Sequence, residues 1–213
     1  MDYIARNTSV PVPKIYCAFK RKGWTYIVMQ RVTGENLVRG WNSRTTVSQA
    51  KILLQLKEMV NSMRSLSPPS PAIANVNGGR LWDCRLPGET LHFGPFDNVD
   101  SFHQYLRGGI SAESSALPAA VNELIQLHNR EWPLPVFTHG DLSSLNIMAD
   151  GDRITGIVDW ETAGWFPYYW EYTTARQVNF RNIFWREEID KFLASWPEEL
   201  RMEELRHAYF GDV

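Results

Sequence analysis

Apolar residues recur at Ile52, Leu53, Leu56, Met59, Val60, Met63 and Leu66, spacings of three and four that put them on one face of a helix over residues 46–66. Upstream the pattern changes. Residues 14–19 and 24–32 are β-type runs separated by Lys20-Arg21-Lys22-Gly23, which has the composition of a hairpin turn, and Ile27-Val28-Met29 is an apolar run suited to a buried strand. Residues 2–8 read as the end of a helix stopped before Pro11-Val12-Pro13, because a proline pushes its predecessor out of the helical region. Ser67-Pro68-Pro69-Ser70-Pro71 breaks the long helix, and residues 72–98, with Gly78-Gly79, Pro87-Gly88 and Gly94-Pro95, read as a long irregular segment of the kind that often carries function. Further helices are expected over residues 99–106, 118–129, 168–177, 187–195 and 198–209. Some sheet, then mostly helices with an embedded hairpin, predicts an α+β protein whose first lobe is small.

Composition narrows the chemistry. A chain of 213 residues, 44% hydrophobic and 22% charged, suffices for one large lobe with a small appendage. A net charge of -2 gives no basic stripe for a polyphosphate backbone, so a small-molecule substrate is expected and nucleic acid is not. No run of about 18 apolar residues exists and Met1-Asp2-Tyr3-Ile4-Ala5-Arg6 is too polar for a secretory signal, which predicts a cytosolic protein without membrane partners. The two cysteines, Cys17 and Cys84, suggest neither a disulfide nor a zinc site and read as buried or idle thiols. Nine tryptophans, several between Trp160 and Trp196, read first as core. Nothing in the spacing of His92, His103, His128 and His207 pairs them into a ligand set.

The candidate chemistry lies in residues 136–161. Val136-Phe137-Thr138 enters as a strand and turns at His139-Gly140-Asp141, and Asn146 follows five residues after Asp141. Asp150-Gly151-Asp152-Arg153 should close a hairpin whose strands end near Asn146 and Asp159, so that three oxygen-bearing side chains converge. Mg²⁺ takes hard oxygen ligands, usually one or two from protein and the rest from phosphate and water, for which Asn146 and Asp159 suffice. Asp141 is then available to orient a hydroxyl and accept its proton. Taken singly, each is equally a turn residue capping local backbone. Together, independent turn residues have no reason to reproduce both spacings.

Protein kinases carry H-R-D-L-x-x-x-N followed by D-F-G. Here His139-Gly140-Asp141-Leu142-Ser143-Ser144-Leu145-Asn146 is followed by Ile157-Val158-Asp159-Trp160-Glu161, forms that resemble the aminoglycoside phosphotransferase and choline kinase superfamily, in its fungal branch. Residues 7–16 and 26–34, Gly94-Pro95-Phe96 and Tyr169-Trp170-Glu171-Tyr172 also look like family landmarks. The resemblance implies a protein-kinase-like fold, with a remnant N-lobe over residues 1–33 and a mostly helical C-lobe over residues 34–213. It implies ATP and Mg²⁺ as cofactors, Asp141 as catalytic base, His139 as loop support within the catalytic set, Asn146 and Asp159 as metal ligands, and adenine held by the backbone of Met29, Gln30, Arg31 and Val32. Glu161 reads as a salt-bridge partner. Glu171 and Arg176 are candidates for a pair, at a spacing of five that suits contact poorly.

A complete member of that family begins earlier, with a loop over the nucleotide, a strand lysine gripping the phosphates and a helix glutamate positioning it. None of Lys14, Lys20, Lys22, Lys51, Lys57 and Lys191 sits upstream of the first helix, so the N-lobe is expected to be vestigial and truncated. Losing one preorganised donor commonly costs roughly 10²- to 10³-fold in rate. Strand edges and apolar surface would be uncovered, which a homodimer or a rearranged N-terminal region would hide. Three activities stay open: Mg·ATP-dependent transfer to a substrate hydroxyl; a cofactor-independent cyclase, isomerase or ligand-binding protein of secondary metabolism on the same scaffold; and an inactive pseudokinase.

Overall fold

The computed structural model describes residues 1–86, 90–112, 117–177 and 182–211. These divide into two compact units: residues 1–66, 141–160 and 175–194 in the first, and residues 67–140, 161–174 and 195–213 in the second. The architecture is α+β, with seven helices and four small sheets among the described residues.

In the first unit, α1 (Asp2–Asn7) leads to β1 (Ile15–Arg21) and β2 (Trp24–Met29), which pair antiparallel. Lys22 and Gly23 take φ of 50° and 81°, the two positive values that a two-residue type I′ turn requires. The expected second strand therefore exists but stops at Met29. Its burial was misjudged: Ile27, Val28 and Met29 are 46%, 46% and 42% exposed. Among the described residues the two strands form a sheet of two.

A second sheet has the order β3-β7-β8, with β3 (Glu35–Asn36) against β7 (Ile147–Asp150) and β7 against β8 (Arg153–Ile157). Gly34 makes this approach possible: its φ is 87°, and a Cβ there would lie 2.1 Å from the Ala149 carbonyl oxygen. The amphipathic helix is α2 (Thr46–Arg64), capped by the Thr45 side chain accepting from the Ser48 amide at 3.2 Å. It buries Ile52, Leu53, Leu56, Val60 and Met63, each contributing about 1.5–3 kcal/mol. It also grips the hairpin, since Gln55 donates to the Asp152 carbonyl at 2.7 Å and accepts from the Ile154 amide at 3.0 Å. Trp185, which opens α6 (Trp185–Phe192), packs edge-on against Trp41 with ring centroids 5.3 Å apart.

In the second unit, the expected irregular segment contains a short antiparallel pair, β4 (Leu81–Trp82) with β5 (His92–Phe93). Pro87 and Gly88 lie outside the described residues. β6 (Val136–Thr138) pairs with β9 (Gly164–Phe166). α3 (Val99–Leu106), α4 (Ala119–His128) and α7 (Pro197–Phe210) surround a core that includes Leu81, Phe93, Phe102, Leu124, Phe166, Trp170 and Met202. α5 (Trp170–Arg176) begins in this unit, and its last two residues belong to the first. The tryptophans Trp165, Trp170 and Trp185 are buried, whereas both cysteines are exposed, which removes the buried half of the buried-or-idle reading.

Folding brings together two histidines that lie 25 positions apart in the chain. His103 and His128 are fully buried and stack with centroids 4.2 Å apart. His103 Nε2 is 2.7 Å from the Tyr169 hydroxyl. Arg107 donates to His128 Nδ1 at 3.2 Å. Because a guanidinium has no acceptor, that Nδ1 is unprotonated and the ring is neutral. Burial, with the charge of Arg107 and Arg130 adding to it, lowers His103 to about 3. His128 is lowered further by burial, His103 and the three arginines Arg107, Arg206 and Arg130.

Candidate active site

The sequence places Asp141 directly after a glycine, and the backbone explains why. Gly140 has φ of 83°, and a Cβ on it would lie 3.0 Å from both the carbonyl and hydroxyl oxygens of Thr162, so only glycine fits. Every polar backbone group of the His139-Gly140 turn is held by a side chain of the second unit. Glu171, 1% exposed, accepts from the His139 amide at 2.6 Å and the Gly140 amide at 3.1 Å. The Thr162 hydroxyl donates to the His139 carbonyl at 2.8 Å. Arg85 donates to the Gly140 carbonyl at 2.6 Å. His139 itself is completely buried, as a residue that shapes the turn from within would be.

In the first unit, Asp141 is half-buried and receives two hydrogen bonds from the Asn146 amide nitrogen, 2.8 Å to Oδ2 and 2.9 Å to the backbone carbonyl. Two acceptors on one nitrogen fix the orientation of the amide and turn its Oδ1 away from Asp141. The Asn146 carbonyl in turn accepts from the Val158 amide at 2.9 Å, which extends the β7–β8 ladder to the residue before Asp159. Asp159 is exposed and has φ of 65°, a left-handed conformation uncommon outside glycine and enriched at functional positions. Trp160 anchors the far side of that kink, donating from Nε1 to the Ile157 carbonyl at 2.8 Å. The residue after Asp141 is fixed as well, because Trp185 donates to the Leu142 carbonyl at 3.2 Å. Asp141, Asn146 and Asp159 are thus gathered at one end of the hairpin.

The donor set suits a hard cation. Among the described residues no group of three or more His, Cys, Asp or Glu side chains forms a metal cage. One amide oxygen and one or two carboxylates, with phosphate and water filling the other positions, match what Mg²⁺ accepts from proteins.

The four residues that the resemblance assigns to adenine lie elsewhere in the first unit. Met29 ends β2, and the Gln30 amide donates to the Lys14 carbonyl at 2.8 Å. Met29, Gln30 and Arg31 are exposed, and Val32 packs so closely on Gly156 that a Cβ there would come within 2.8 Å of it. Sequence reasoning missed Asp83 and Arg85, and it did not connect Glu171 or Thr162 with the His139-Gly140 turn. Arg176 bonds Asp190 at 2.9 Å.

Comparison with known proteins agrees with this fold. The profile of the phosphotransferase enzyme family matches residues 1–205. Among solved structures, a thermostable mutant of aminoglycoside phosphotransferase APH(4)-Ia, in a ternary complex with ADP and hygromycin B, superposes with a TM-score of 0.54 at 16% identity, over 98% of this chain and 64% of that one. Aminoglycoside-3'-phosphotransferase of type VIII gives 0.57 at 14% identity, over 98% and 77%. Macrolide 2'-phosphotransferase MphH from Brachybacterium faecium gives 0.53 at 14% identity, over 97% and 68%. The chain therefore spans about two thirds to three quarters of the length of these structures. No match was found among curated proteins.

Proposed function

The chain belongs to the phosphotransferase enzyme family, and from that premise we propose that it transfers the γ-phosphoryl group of ATP to a hydroxyl of a small molecule. The observation that carries the reading is the Asn146 side chain locked onto Asp141 at 2.8 and 2.9 Å, with its oxygen turned away and its strand laddered to the residue before Asp159. Asp141 holds the acceptor O–H and takes its proton as the oxygen attacks phosphorus, while the bond to the leaving ADP breaks. Asn146 and Asp159 hold Mg²⁺, which when bound neutralises charge on the phosphate oxygens. Most of the catalysis is positioning, which is what a fully hydrogen-bonded turn before the base supplies.

Calorimetry with Mg·ATP tests this. Wild type should bind at millimolar nucleotide or tighter, Asp159→Ala should abolish binding, and Asp141→Ala should bind yet release no phosphate. No binding by wild type at millimolar Mg·ATP would end the reading. A second reading, a cofactor-independent cyclase or isomerase on the same scaffold, draws on the exposed two-stranded sheet that ends at Met29. Activity surviving EDTA and nucleotide removal would support it instead.

A further inference from the structure

The Asp83–Arg85 pair has no part in the chemistry just described, yet it meets the turn before the base. Asp83 is 2% exposed. Arg85 presents its planar fork to it, Nε to Oδ1 at 2.8 Å and Nη2 to Oδ2 at 2.7 Å, and the same Nη2 reaches the Gly140 carbonyl at 2.6 Å. The Arg85 amide also bonds Asp83 Oδ1 at 3.0 Å. The β4–β5 pair anchors this segment, with the Asp83 amide bonded to the Leu91 carbonyl at 3.2 Å.

We infer that Arg85 is a positioning residue for the transfer step: held rigid by Asp83, it fixes the plane of the Gly140–Asp141 peptide and so the direction in which Asp141 leaves the main chain. Three physical points carry this. The Gly140 carbonyl belongs to the same rigid amide plane as the Asp141 nitrogen, so fixing one fixes the other. Glu171 holds the Gly140 amide, on the opposite side of that residue, and leaves its carbonyl to Arg85. The pair is neutral as a whole, so it supplies a charge-assisted bond without adding net charge beside a base. A lysine is a single point donor and cannot grip both oxygens of Asp83 while reaching the carbonyl.

The turnover part of this role rests on the phosphotransferase reading; the structural part does not. The test therefore has two arms on the full chain. Amide exchange resolved by NMR should quicken about tenfold at Gly140 and Asp141 in Arg85→Ala, and less in Arg85→Lys, with α3 and α4 amides unchanged, since an amide that loses its neighbour's anchor opens locally. Phosphate release from Mg·ATP, with water as acceptor, should show kcat lowered about 10- to 100-fold and KM within about twofold, the signature of misplacement rather than lost binding. Unchanged exchange at residues 140 and 141, or exchange raised equally throughout the unit, overturns the inference. So does a variant whose KM rises while kcat holds. Should wild type neither bind nor turn over Mg·ATP, the phosphotransferase reading falls, and the exchange arm still decides the role of Arg85.

Discussion

Replacing Glu171 by glutamine keeps the size of the side chain and changes one oxygen into an NH₂ group. Two backbone amides depend on that carboxylate, His139 N–H at 2.6 Å and Gly140 N–H at 3.1 Å, and both residues are buried. Glutamine can accept from only one of them. The other faces a donor and is left unsatisfied, a cost of about 1–3 kcal/mol, and the surviving bond loses its charge assistance, roughly another 1 kcal/mol. The expected loss is therefore about 2–4 kcal/mol, a large part of the stability of an ordinary domain. Urea unfolding of both proteins at pH 7, followed by tryptophan fluorescence, measures it from the shift of midpoint at equal slope. A change below about 0.5 kcal/mol would refute the reasoning, because it would mean that the amides find other partners or that water reaches them.

The buried histidine pair predicts acid sensitivity. Both rings are held neutral when folded, and an unfolded histidine titrates near its ordinary value of about 6.5, so their contribution is complete above that pH. It is lost as pH falls from there toward the folded value of about 3 for His103, at up to about 1.4 kcal/mol per pH unit for each ring. Urea midpoints at pH 7.5 and 5 should fall accordingly, His103→Phe should flatten the slope, and equal stability at both pH values would contradict the assignment. At Gly140, alanine must take φ of 83° with its Cβ 3.0 Å from two oxygens of Thr162. It should cost about 1–3 kcal/mol and abolish phosphate release, and a fully active Gly140→Ala enzyme would show that the turn geometry is dispensable.

Much of this protein was legible locally. Helix α2 follows from apolar residues at spacings of three and four, and the Lys22-Gly23 turn from a glycine between two β-type runs, because 3.6-residue periodicity and glycine's freedom at positive φ act within a few residues. The Asp150-Gly151-Asp152-Arg153 turn identified the hairpin and placed Asn146 and Asp159 near its strand ends for the same reason: turn chemistry and strand register are local rules. The sequence failed wherever the answer depends on what lies opposite. Ile27, Val28 and Met29 have the composition of a buried strand, but burial is a property of neighbours, and among the described residues these three keep 42–46% of their surface exposed. No periodicity relates Glu171 to His139, Arg85 to Gly140, or His103 to His128, which are 32, 55 and 25 positions apart. Backbone groups that a turn leaves unpaired can be satisfied only by side chains that the rest of the fold delivers. The sequence by itself therefore determined which residues carry the candidate chemistry; the tertiary structure decided what holds them in place.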